Sequence, residues 1–380
     1  MEIFQVQHQA QDTKARTGIL TTDHGAVETP VFMPVGTQGT VKAVEPRQLH
    51  ELDYRIILGN TYHLYFRPGE QVLQDFGGLH RFMRWNGAIL TDSGGFQIFS
   101  LQDLRSVSED GVEFRSHIDG SKHFFTPEKV IDIQRSIGSD IMMVLDECPP
   151  YPTSYREMQQ VVDRTIRWAK RCRQQWQTQP PLYEWRQWLF AIGQGGVYRD
   201  LRQQCLEVLI AMDFPGYAIG GLAVGEPMEQ MLEVVDWSTD WIPVTKPRYL
   251  MGVGTPVDIL EAIDRGVDMF DCVLPTRNAR NGQLFTTRGK LNIRNAKFRG
   301  SREPIDPGLP YYVSQEFTLG YLHHLFRAKE ILGLQLATLQ NLAFYQWLVQ
   351  TARQKIRQNR FRQWKESFIQ QWTATGRVAT

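Results

Sequence analysis

Three carboxylates stand where a short apolar run ends: Asp92 after GAILT, Asp146 after IMMVL and Asp271 after DMF. Gln194 follows LFAIG in the same way, and Gly220 and Gly221 follow GYAI. If these runs are parallel strands of one barrel, their C-terminal ends form a single rim, where such folds assemble their active sites. Two carboxylates facing a common pocket suit displacement at an anomeric carbon, one attacking while the other handles protons. A single carboxylate at a strand end equally well caps the next helix; three on one rim, beside glycine-rich turns, shift the balance toward chemistry. Gly94, Gly95, Gly195, Gly196, Gly220 and Gly221 leave that rim bare of side chains. Tight turns needing positive φ would explain them, and so would backbone N–H groups brought close to a flat polar ligand. Phe96 and Met251 would then be apolar slabs around a planar base, although both types also serve as ordinary packing.

The elements that must position these residues recur along the chain. TPVFMPVG, RIILGNTY, GAILTDSGG, DIMMVLDEC, WLFAIGQGG, GYAIGGLAVGE, RYLMGVG and MFDCVLP read as buried strands. Helical patterns such as PEKVIDIQRSIG, RDLRQQCLEVLIAM and TPVDILEAIDRG lie between them, several opened by a proline or an acidic residue. Strands alternating with helices give parallel βα units, and eight units close a (β/α)8 TIM barrel. An α/β barrel over residues 1–276 is therefore expected, with two interruptions. Residues 100–126 alternate polar and apolar around Asp-Gly pairs, a hairpin excursion at the top of the barrel. Residues 277–320, rich in Arg, Lys, Gly and Pro, read as a basic subdomain inserted after the eighth strand, and 321–380 as C-terminal helices completing the barrel and a basic tail.

Composition sets the class. With 42% apolar and 22% charged residues in 380, the chain is neither disordered nor a disulfide scaffold. Its start lacks the basic and apolar regions of an export signal, and no window approaches a membrane span, so the expected address is the cytoplasm. Cys148, Cys172, Cys205 and Cys272 form no C-x-x-C pair and read as separate reduced thiols. The net charge of +1 conceals an asymmetry: residues 272–380 carry +12 and the first 271 carry −11. A basic C-terminal third suits docking of a polyanion, nucleic acid being the commonest, or is simply a solvated face. No P-loop or dinucleotide fingerprint is present, and no cofactor is expected.

TDSGGFQIFSL, LGNTYHLYFRPG, LDEC, GYAIGGLAVGE, the long segment from YLMGVG to NGQLFT, and YLHHLFRAKEILG together resemble the bacterial tRNA-guanine transglycosylase (queuine tRNA-ribosyltransferase) family, in order along nearly the whole chain. The resemblance implies the barrel fold and exchange of guanine at the anticodon wobble position of tRNA Asp, Asn, His and Tyr for 7-aminomethyl-7-deazaguanine, a step of queuosine biosynthesis. It implies Asp271 as the nucleophile that holds the ribose covalently, and Asp92 as the general acid/base. Asp146 would bind the polar edge of the base, and Gln194 and the Gly221 N–H its exocyclic oxygen. Ser93, Cys148, Gly220, Leu222, Val224 and Glu226 would shape the pocket, and Phe96 and Met251 would sandwich the base. Val224 matches the bacterial pattern and would exclude the larger queuine. Arg277 and Arg280 would contact the anticodon loop, and the wobble base would have to flip from its stack.

The chain departs from the family at a structural zinc site. The C-x-C-x-x-C and His positions hold Leu309, Tyr311, Ser314 and Gln340, which offer none of the thiolate or imidazole donors zinc takes there, so the metal is expected to be absent. His323 and His324 are poor substitutes, since adjacent helical residues point about 100° apart. Leu309, Tyr311 and Phe317 are expected to fill the space as an apolar plug. The loss puts in doubt the homodimer that the resemblance implies. A non-catalytic tRNA-binding or partner subunit of the same fold is the alternative function, and a barrel glycosidase a third.

Overall fold

The computed structural model describes residues 2–99 and 105–378. Eight parallel strands form the central sheet: Val31–Pro34, Ile56–Gly59, Ala88–Thr91, Ile141–Met143, Trp188–Gly193, Gly216–Ile219, Arg248–Leu250 and Met269–Cys272, here barrel strands 1 to 8. Each pairs with its sequence neighbour, and strand 8 returns to strand 1 through Met269↔Val31 to Cys272↔Pro34. The Gly36 N–H donates to the Leu58 carbonyl at 2.6 Å beside a Val35–Leu58 bridge, which closes strand 1 on strand 2. The expected barrel is therefore observed, from all eight runs. Strands 1, 2, 3 and 6 are buried at every position, because helices cover the outer face while side chains fill the inside.

Local signals set the helices. Thr126 accepts the Lys129 N–H with Pro127 in the first turn, Thr255 accepts that of Asp258 ahead of Pro256, and Ser154 and Glu157 form a capping box. Helix Tyr155–Thr178 buries Val161, Thr165, Trp168 and Cys172 along one face at the three-to-four spacing of an amphipathic helix. Among the described residues, no helix is long and apolar enough to cross a membrane.

One feature was not anticipated. Phe4–Gln9, Arg16–Thr22 and Gly25–Thr29 form an antiparallel sheet across the N-terminal end of the barrel, opposite the rim. Arg16 anchors it through a buried bidentate pair with Asp268, at 2.9 and 2.6 Å, just ahead of strand 8. Within the excursion, Arg105–Val107, Val112–Arg115 and Lys122–Phe125 make a three-stranded antiparallel sheet turning at Asp110-Gly111 and Asp119-Gly120, with Gly120 at φ +74°. Residues 100–104 of the excursion lie outside the described residues.

The C-terminal region is knitted into the barrel. The boundary drawn at 276/277 falls inside helix Leu274–Arg280, which Pro275 opens, and that at 320/321 inside Leu319–Ala328, which Thr318 caps. The hairpin Gln283–Thr286 with Gly289–Asn292 leans on the long helix Ile331–Arg357, where Asn341 accepts the Phe285 N–H and donates to the carbonyls of Pro275 and Gln283. That helix also covers strand 1, Arg353 donating to the Pro30 carbonyl at 2.9 Å. Part of the charge asymmetry is spent here: Arg353 and Arg357 pair with Glu28, and Lys365 with Glu261 and Asp264. The unpaired basic surface is correspondingly smaller than +12 suggests.

Candidate functional site

A cavity of about 470 Å³ opens at the C-terminal ends of the strands. Asp92, Ser93, Phe96, Asp146 and Cys148 line one side; Gly220, Gly221, Leu222 and Val224 follow, and Met251, Asp271 and Arg277 complete the wall. Twelve of the fifteen candidate residues thus share one space. Gln194 is wholly buried and reaches the cavity through Asp146, Glu226 clamps the adjacent loop by accepting the N–H groups of Ala223 and Val224, and Arg280 is turned back on the Thr276 carbonyl.

Asp92 is held rigidly. Its Oδ1 accepts the N–H groups of Thr61 at 2.8 Å and Gly94 at 3.2 Å, and its Oδ2 accepts Asn60 Nδ2 and Gln97 Nε2. Burial outweighs these bonds and, with Asp271 nearby, raises its pKa to about 6. Asp146 is also raised to about 6 by burial, against hydrogen bonds from Gln194 Nε2 at 2.7 Å and Ser93 Oγ at 3.1 Å. Asp271 is bonded on one oxygen: Oδ1 accepts the Tyr249 hydroxyl at 2.6 Å and the Gly252 N–H at 2.8 Å, while among the described residues Oδ2 accepts none. Burial raises its pKa too. The site therefore holds one carboxylate with an unengaged oxygen, one with a near-neutral pKa fixed on all sides, and a third deep in the wall, an arrangement suited to covalent displacement with proton transfer. Cys148, pushed up to about 12 by burial, is a neutral thiol and part of the wall.

Asn60, Gln97, Tyr249 and Gly252 were missed by the sequence reading. Asn60 was within reach, as the polar residue closing the run IILG at the end of strand 2. Tyr249 lies inside a strand, and nothing local marks its hydroxyl as the partner of a residue 22 positions on.

The positions that the resemblance assigns to zinc hold a hydrogen bond between side chains. Ser314 Oγ donates to Gln340 Oε1 at 2.7 Å, and Gln340 Nε2 donates to the Phe285 carbonyl, both side chains fully buried. Leu309 is buried beside them, whereas Tyr311 is half-buried and reaches Gln350. This donor set does not fit zinc. His323 Nδ1 lies 2.7 Å from the Ile293 carbonyl and must donate there, while His324 is exposed. Among the described residues, His24, His80 and Asp140 are grouped as metal ligands would be, at the opposite end of the barrel. Their imidazoles stack at 3.6 Å and 15°, so one ion could not lie in both ring planes; they serve as a hydrogen-bonded clasp between the N-terminal sheet and the barrel.

Comparison with known proteins agrees with this geometry. Residues 11–374 match the family described as queuine tRNA-ribosyltransferase. A queuine tRNA-ribosyltransferase of Caldanaerobacter subterraneus subsp. tengcongensis is 57% identical over 369 residues, 97% of each chain. Those of Desulforudis audaxviator and Halothermothrix orenii are 55% and 51% identical, again over 97% of each chain. With a barrel of eight strands, a rim carrying the paired carboxylates and similarity along almost its entire length, the chain belongs to the queuine tRNA-ribosyltransferase family.

Proposed function

We propose that the protein is a tRNA-guanine transglycosylase of queuosine biosynthesis, replacing guanine at the anticodon wobble position with 7-aminomethyl-7-deazaguanine in the cytoplasm. The observation that carries this is the pair Asp92 and Asp271 in one cavity, the second with an oxygen unengaged. Asp271 Oδ2 attacks C1′ of the wobble ribose as the C1′–N9 bond breaks, and the departing guanine takes a proton at N9 from Asp92. The incoming base gives its N9 proton to Asp92 as N9 attacks C1′ and the Asp271 ester bond breaks. Asp146 accepts from the N–H edge of the base, Phe96 and Met251 cover its faces, and Arg277 meets the anticodon loop. A non-catalytic subunit would have no use for that unengaged oxygen. The test is incubation with unmodified tRNA and radiolabelled guanine; absence of label from acid-insoluble RNA would overturn the reading.

Base affinity should depend on pH. Asp146 binds the base as a carboxylate, so affinity should be level above its pKa of about 6 and fall below it. The limiting slope is about tenfold per pH unit for one proton. Calorimetric titration of the base from about pH 5 to 8 checks this; a flat profile would count against Asp146.

The protein also works without the family zinc. Metal analysis should find well under one zinc per chain, and chelation should change neither melting temperature nor exchange. Leu309, fully buried, takes over part of the stabilisation; Leu309→Ala should cost about 2–5 kcal/mol of local stability and weaken tRNA binding while sparing base binding. Stoichiometric zinc lost on chelation together with activity would refute this.

A further inference from the structure

Arg202 is completely buried in helix Arg199–Ala211, which follows strand 5 and packs behind the cavity. Its guanidinium makes no ion pair among the described residues, and its partners are three backbone carbonyls. Nη1 donates to Gly193 at 2.9 Å and Gly220 at 3.0 Å, and Nη2 to Gly196 at 2.9 Å, while Nε is buried without a partner. Burial lowers its pKa to about 10, which leaves it charged at neutral pH. An unpaired buried cation is costly, and a neutral side chain would fill the space at lower electrostatic cost. Glycine at 195 lets the turn after strand 5 lie directly on this helix: a Cβ there would come within 2.6 Å of the Arg202 backbone nitrogen, at φ +138°.

The carbonyls it grips belong to the turns that face the ligand. The Gly220 carbonyl shares its peptide unit with the Gly221 N–H, and Gly220 and Gly221 both line the cavity. The Gly221 N–H faces the Cys148 sulfur, a weak acceptor that a base oxygen would displace. A cation on the carbonyl end of a peptide makes its N–H a stronger donor. In guanine, N9 is conjugated through C4=C5 to the 6-carbonyl, so charge developing on N9 as the glycosidic bond breaks spreads to O6.

We propose that Arg202 is a positioning residue of the exchange reaction, polarising the Gly220–Gly221 peptide so that its N–H stabilises the charge reaching O6 of the departing guanine. This deepens the transglycosylase reading and rests on it. The charge, rather than the hydrogen bonds alone, carries the effect, and two variants separate these. Arg202→Lys keeps the charge with fewer bonds; Arg202→Gln keeps donors without the charge.

The experiment measures single-turnover adduct formation with tRNA, together with the infrared 6-carbonyl band of bound guanine labelled with 13C at C6. Arg202→Gln is expected to slow adduct formation about 10- to 100-fold at unchanged tRNA KM and to shift the band to higher wavenumber. Arg202→Lys is expected to recover most of the rate and return the band toward its native position. If Arg202→Gln fails to fold, the Arg202→Lys band decides alone: near the native position supports the proposal, and as far upfield in energy as free guanine overturns it. A folded Arg202→Gln with native rate and band also overturns it. If the native protein exchanges no guanine, the reading of the site falls and the inference with it.

Discussion

Asp271→Asn is expected to abolish guanine exchange and the denaturant-resistant protein–tRNA adduct, a loss of at least ~10⁴-fold, while tRNA binding and the fold survive. The bonding explains why the substitution is clean. Both groups donating to Oδ1, the Tyr249 hydroxyl and the Gly252 N–H, find the amide oxygen of an asparagine there. The amide NH2 then takes the place of Oδ2, where no donor stands among the described residues, and the attacking oxygen is gone. Stability should move the other way. The folded pKa of Asp271 is raised by burial, so the stability its protonated form contributes is present at low pH and lost as pH rises through the folded pKa. At neutral pH the native protein carries that destabilising charge and the amide does not. The melting temperature of Asp271→Asn should therefore equal or exceed the native value near pH 7 and differ less near pH 4. Denaturing gels of tRNA incubations, with thermal melts at both pH values, check this; an adduct at native yield would remove Asp271 from the nucleophile's role.

How much of this was legible in the sequence depended on how local the physics was. Barrel strands buried on both faces produce unbroken apolar runs, and all eight were readable from runs such as RIILG and GAILT. The carboxylates at their ends were readable for the same reason. The N-terminal sheet was not, because it rests on a long-range pair, Arg16 with Asp268, and on strands as alternating as FQVQHQ, which resemble a solvated tail until a partner is known. The charge asymmetry was legible but overread: Glu28, Glu261 and Asp264 neutralise cations about 100 to 330 positions away, which no local count detects. The residues at the positions that the resemblance assigns to zinc could be read one by one. The Ser314–Gln340 bond between two of them requires the helix to pack against the hairpin.

Asp92→Asn should also stop turnover, yet by a different route and with a different residue of activity. Asp92 is surrounded by donors on both oxygens, so an amide placed there meets a donor wherever its NH2 points. The Thr61 and Gly94 N–H groups are backbone and cannot turn, which forces the amide oxygen to the Oδ1 side. Asn60 and Gln97 can each rotate their amides to present an oxygen instead, so the NH2 group is accommodated at Oδ2 after two flips and the fold persists. What is lost is a group of pKa about 6, which at neutral pH still exchanges a proton readily and so serves both halves of the reaction. Without it the incoming base cannot give up its N9 proton, and turnover should fall by about 10²–10⁴-fold. The first half-reaction loses the proton that Asp92 gives to N9, so guanine must take one from water, but Asp271 keeps its unengaged oxygen and adduct should still form, more slowly, and then persist. In native protein the two halves should respond to pH in opposite senses: adduct formation, which draws on protonated Asp92, should slow as pH rises above about 6, and capture of the incoming base, which needs the Asp92 carboxylate, should slow as pH falls below about 6. Single-turnover trapping distinguishes the two carboxylates: adduct accumulating in Asp92→Asn but absent from Asp271→Asn is the expected pattern, and undiminished turnover in Asp92→Asn would show that another group moves the N9 proton.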